Sequence, residues 1–173
     1  MRARIRLAQS GFSLIELLIV IAIILVIAAI AIPNLLRARM SANESSAASG
    51  VRSITVAEVA YYNTYPTVGY AVQLSNLGRP PGCIPSAVTA CELDDAIANP
   101  GPNGHSGYQF AATGIPNGGL NTDFVAGGTP LGANSTGTRD FCAVTDAVLR
   151  SQPTTGGAPP ATMAPCLAYP IAQ

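Results

Sequence analysis

The rhythm of polar and apolar positions changes twice along this chain. From Leu17 to Ile32, sixteen consecutive residues carry no polar side chain. Adding Phe12 to Glu16 makes twenty-one residues. That is roughly 31 Å of helix, about the hydrocarbon thickness of a bilayer. One charge interrupts the run, Glu16. Pro33-Asn34 then follows. Proline inside a helix removes a hydrogen bond and clashes with the preceding turn, so this step reads as a helix end at a membrane surface. Leu35 to Asn63 is helical again. Leu36, Met40, Ala47, Val51, Ile54, Ala57 and Tyr61 recur at three-, four- and seven-residue steps, one apolar face. Arg37, Arg39, Glu44, Arg52 and Glu58 fall mostly elsewhere. Tyr65-Pro66 ends the helix, because a residue before proline avoids helical geometry.

Beyond that point the period shortens to two. Ser106 to Ala112 alternates Tyr108, Phe110 and Ala112 on one face, a half-buried strand. Asp123 to Ala126 is a second short strand bounded by Gly127-Gly128. Arg139–Val144 and Ala147–Arg150 flank Thr145-Asp146 and predict a hairpin. Three or four such strands would cover one face of the helix.

Composition sharpens the boundary. Up to Tyr65 there are two glycines and one proline; from Pro66 onward there are fifteen and thirteen. Only 10% of residues are charged and the formal net charge is zero, so no basic field suggests nucleic acid. Three of the nine arginines, Arg2, Arg4 and Arg6, precede the apolar run and would stay cytoplasmic.

Three readings of the amino-terminal segment compete. A secretory signal peptide fits the basic start and the small-x-small step Ala29-Ile30-Ala31, but the apolar run is too long for one. A plain single-pass anchor, holding an extracytoplasmic binding or enzymatic domain, fits length and charge but leaves Glu16 without a purpose. The third reading rests on Gly11-Phe12-Ser13-Leu14-Ile15-Glu16, with the apolar run behind it ending in a proline step. This resembles the processing motif of the type IV prepilins and pseudopilins, over about Gln9 to Tyr65.

The resemblance implies cleavage between Gly11 and Phe12 by a membrane prepilin peptidase, which then methylates the Phe12 amine. The leader would be residues 1–11, the membrane and filament-core helix 12–32, its amphipathic continuation 33–65 and the head 66–173. The fold implied is α+β, a long hydrophobic helix packed on a small antiparallel β-sheet head. Pro33 would become a bend or unwound step within one helix of roughly 78 Å, whose exposed half needs partners. Glu16 would meet the Phe12 amine of a neighbouring subunit. An unpaired carboxylate in hydrocarbon costs about 2.5–3.5 kcal/mol, so assembly would relieve that cost. Partners would be identical subunits in a helical filament and an inner-membrane platform driven by a cytoplasmic ATPase. The alternative within the same machinery is a major pseudopilin of type II secretion. The hairpin from Thr136 to Arg150 leans that way, and the four cysteines lean toward a pilus head.

Those cysteines, Cys83, Cys91, Cys142 and Cys166, all follow the apolar run and none forms CxxC. They read as two disulfides in an oxidising compartment, with buried free thiols as the bland alternative. Three pairings are possible, and chain order favours Cys83–Cys91 and Cys142–Cys166.

No catalytic set, cofactor motif or metal site is expected. His105 sits in a Gly/Asn/Pro loop, and Glu92, Asp94 and Asp95 read as a helix start ahead of a calcium loop. Tyr61, Tyr62 and Tyr65 read as head packing rather than an electron path. Asn43-Glu-Ser45 and Asn134-Ser-Thr136 match the glycosylation sequon.

Overall fold

The computed structural model describes residues 12–172. The leader, its arginines and Gly11 lie outside them. The chain divides into two compact units, Met1–Ala38 and Arg39–Gln173, with one helix, α1 (Leu14–Thr64), contributing to both.

In the first unit every large apolar side chain from Phe12 to Leu36 is between 48% and 85% exposed. This segment contains the only window among the described residues that is long and apolar enough to cross a membrane, with a mean hydropathy of 3.3. Pro33 lies inside α1, so of the two readings of this step, a helix end and a step within one long helix, the second describes it. The lost hydrogen bond and the clash with the preceding turn cost about 3 kcal/mol, and strong helix formers on either side carry the helix through.

The second unit is a head built on the rest of α1. After a 3-10 turn (Leu74–Leu77), β1 (Gly78–Arg79) pairs in parallel with β2 (Leu93–Asp94). A single turn, α2 (Asp95–Ala98), follows. The main sheet is antiparallel, in the order β3 (Tyr108–Asn117), β4 (Leu120–Pro130), β5 (Arg139–Val144) and β6 (Arg150–Pro153). A short helix, α3 (Met163–Leu167), closes the chain.

The sheet has two covered faces. Phe110, Ala112, Phe124, Ala126 and Phe141 join Ala47, Val51, Ile54 and Tyr61 of α1 in the main core. On the other face Val125, Cys142 and Val144 pack with Cys166, Met163 and Tyr169 of the carboxy-terminal segment. Disulfides join Cys83 to Cys91 and Cys142 to Cys166. The second closes a 24-residue separation and so ties the tail down by about 3 kcal/mol.

The strands differ from the sequence reading at several points: β3 begins at Tyr108 and runs to Asn117, where Ser106 to Ala112 was expected. β4 runs through Gly127-Gly128 to Pro130. A Cβ on Gly128 would lie 3.0 Å from the Phe110 ring, and one on Gly127 would lie 2.7 Å from Pro160. The glycines are there because chain approaches both faces of the strand, not because the strand stops. Ala147–Arg150 is not a strand: Ala147 has φ of +58° and β6 begins only at Arg150. The hairpin that the sequence reading left unassigned joins β3 to β4 across Gly118-Gly119, with Asn117 opposite Leu120.

Candidate assembly site

The amino-terminal motif is placed by α1. Ser13 precedes the first helical residue, and its backbone N–H donates to Glu16 Oε2 at 3.0 Å. This is half of a capping box, in which a glutamate in the first turn satisfies an N–H that the helix leaves unpaired. Ser-x-x-Glu was the available signal for it, and the sequence reading overlooked it. Glu16 therefore has a partner inside its own chain. The negative charge also sits where the helix dipole favours it. Phe12 is 85% exposed and Pro33 lies twenty-one residues further on, inside the same helix.

A second carboxylate on α1 lies in the head unit. Glu58 was expected outside the apolar face, yet it is fully buried in the head. Its Oε2 accepts the Ala71 N–H at 2.9 Å, while Oε1 has no hydrogen-bond partner among the described residues. Burial pushes this carboxyl up to about 7, against the Ala71 hydrogen bond, which pulls it down. Asp140 is buried on β5, with Oδ1 likewise unpartnered. Burial, and then the Asp140 charge, push the Tyr169 hydroxyl up.

The other singled-out residues hold the head together. Tyr61 stacks on Tyr65 and Tyr62 on Tyr70, each at 4.9 Å between ring centroids, and Tyr70 packs on Phe124. Tyr61 Oη donates to the Ala87 carbonyl at 2.6 Å. These rings fix loops to the end of α1. Asp94 caps α2 by accepting the Ala96 N–H, and Asp95 accepts from Asn99. Among the described residues no three acids, cysteines or histidines come together as a metal group. His105 exchanges both backbone hydrogen bonds with Tyr108 in a tight turn. Asn43 Nδ2 donates to the Thr136 carbonyl, and Glu44 Oε1 accepts from both the N–H and hydroxyl of Thr138. The amide of the first sequon is thus engaged in tying α1 to the β4–β5 connection. Asn134 lies exposed on a turn with φ of +60°.

With this geometry in hand, comparison with known proteins is specific. Residues 6–32 match the prokaryotic N-terminal methylation motif. The chain is also 69% identical, over 35 residues, to the type IV wide pilus major component PilA4 of Thermus thermophilus. That stretch is 20% of this chain and 27% of the relative, so the chain spans about a quarter of the length of the curated relative it matches. No solved structure matches. The chain thus carries a prokaryotic N-terminal methylation motif and is similar to a type IV pilus component over a short stretch.

Proposed function

We propose that this protein is a structural subunit of a type IV pilus-like surface filament. The observation that carries the reading is the methylation motif at the head of an apolar helical run whose large side chains are all at least 48% exposed. So large an apolar surface is unstable in water and needs lipid or other helices around it. Before assembly, residues 12–32 would sit in the inner membrane with the amino terminus cytoplasmic. Prepilin peptidase would cut between Gly11 and Phe12 and methylate Phe12. An assembly platform with its ATPase would then draw the helix into a bundle of identical helices. The relative's name, a wide pilus component, favours a pilus over a secretion pseudopilus.

The cut changes the electrostatics around Glu16. The Phe12 amide becomes an ammonium one turn from the carboxylate, while the Ser13 N–H remains available to it. Glu16 can then hold Ser13 in its own chain and accept the amine of a neighbour through its second oxygen, which would set the axial register of the two helices. Pro33 would locally relax the helix where the membrane segment meets the head.

Mass spectrometry of the native amino terminus tests the processing step, and a start at methylated Phe12 is expected. Electron microscopy of sheared surface material tests assembly. Glu16→Ala should leave cleavage and membrane insertion intact and abolish filaments. A native chain retaining residues 1–11, or normal filaments from Glu16→Ala, would overturn the respective step.

A further inference from the structure

We propose that neighbouring heads meet through two unlike patches: the disulfide-stapled loop with Glu92 on one copy, and the β6 edge with Arg139 and Ile171 on the next. This rests on the filament reading above and names the head contact within it.

Among the described residues after Thr64, the three most exposed large apolar side chains are Ile84 at 81%, Val88 at 71% and Ile171 at 67%. The first two share the loop closed by Cys83–Cys91. That loop is held from within. Ser86 and Thr89 exchange backbone hydrogen bonds, Asn76 donates to the Val88 carbonyl, and Tyr61 donates to the Ala87 carbonyl. Its apolar side chains are therefore presented on a fixed backbone, and docking onto them costs little ordering entropy.

The charges at the two patches are opposite. Beside the stapled loop lies a hollow of about 940 Å³, bordered by prolines and by Glu92, Asp94 and Asp95 against one cation, Arg79. Arg79 is already bound to the Cys91 carbonyl, and Asp94 and Asp95 are engaged at α2. Glu92 is exposed, and although its backbone N–H donates to the Leu77 carbonyl, its side chain makes no hydrogen bond or ion pair among the described residues. At the second patch a hollow of about 380 Å³ is bordered by Arg139, Gln152, Pro170 and Ile171. Arg139 is exposed and has no ion pair among the described residues, whereas nearby Arg150 is paired with Asp146. The backbone here is closed: Ser151 N–H donates to the Pro170 carbonyl and Ala172 N–H to the Leu149 carbonyl. A partner must therefore read side chains and cannot add a strand.

The two patches share no residue, and each carries what the other lacks. A twofold contact of the stapled loop with itself would bring Glu92 toward Glu92. A contact between unlike patches brings Glu92 to Arg139 and sets Ile84 or Val88 against Ile171, and it propagates from copy to copy as an open filament requires. Burial of the apolar side chains supplies affinity, and the charge pair supplies orientation.

The test is made on filaments of the full chain. A photo-crosslinking phenylalanine derivative placed at Ile84 should join, on irradiation, to a peptide containing Arg139–Gln152 or Pro170–Ile171 of another copy. Glu92→Arg and Arg139→Glu should each lower filament yield several-fold, and the double variant should restore it to near wild type. Both sites are exposed, so unchanged melting of the variants in detergent separates loss of contact from loss of fold. Filaments whose crosslinks map elsewhere, or single charge variants that assemble normally, would overturn the head contact and leave the filament reading standing. Absence of filaments from the wild-type chain would instead overturn the filament reading and this contact with it.

Discussion

Glu16 and Glu58 are carboxylates on one helix, and their surroundings give them opposite fates. Glu16 caps the helix start through the Ser13 N–H. Glu58 is sealed in the head with one oxygen unpartnered and its pKa pushed up to about 7. Its folded pKa lies above the unfolded value of 4.5, so folding favours the protonated acid. The stability this gives is complete below pH 4.5 and is lost as pH rises to about 7. Glu58→Gln copies the neutral acid. We expect equal stability of the two proteins at pH 4, and a Gln variant more stable by about 3 kcal/mol at pH 8. Denaturant melts in detergent at both pH values check this; a Gln variant that gains nothing at pH 8 would refute it. At this scale the sequence misled in one respect. The spacing of Val51, Ile54 and Tyr61 identified the buried face, and Glu58, seven residues after Val51, four after Ile54 and three before Tyr61, lies on that same face. An isolated acid carries no sign in sequence that a loop N–H, here that of Ala71, will meet it.

At the level of elements, some local signals were legible. The end of α1 at Thr64 follows from Tyr65-Pro66, and β5 coincides with the expected Arg139–Val144. β4 was cut short in the sequence reading because its glycines look like turn residues. Their role is tertiary: Gly128 admits Phe110 and Gly127 admits Pro159-Pro160. Gly50, within α1, makes the same kind of room for Phe110. Such close approaches involve residues far apart in the chain, so period and propensity do not report them. Gly127→Ala tests the point. Its Cβ would lie 2.7 Å from Pro160, and the tail must lift although its disulfide holds. A loss of about 1–3 kcal/mol is expected, with faster hydrogen exchange over residues 154–162. Unchanged exchange there would show that the tail does not bear on β4.

For the whole molecule, the decisive quantity is the apolar surface of residues 12–36, exposed throughout. Two environments can cover it, lipid and other helices, and a single charge distinguishes them. Twelve Leu, Ile or Val residues lie between Leu17 and Ile32. At about 0.3–0.6 kcal/mol each they favour insertion by roughly 4–7 kcal/mol. Ile24→Arg removes one such term and adds about 2.5–3.5 kcal/mol. That leaves a balance between about zero and 4 kcal/mol in favour of insertion, helped by a long side chain that can reach toward the interface. A packed bundle of identical helices offers no such escape. Every copy would bring an unpaired cation into the same dry layer, without a counter-charge such as the processed Phe12 amine would offer Glu16 in the proposed pairing. We therefore expect Ile24→Arg protein to remain in the membrane fraction after alkaline carbonate washing and to form no filaments, with Ile24→Leu assembling normally. Wild-type filament yield from Ile24→Arg would mean that this stretch of helix lies outside the filament core. Loss from the membrane fraction would mean that the apolar run is a weaker anchor than its composition implies.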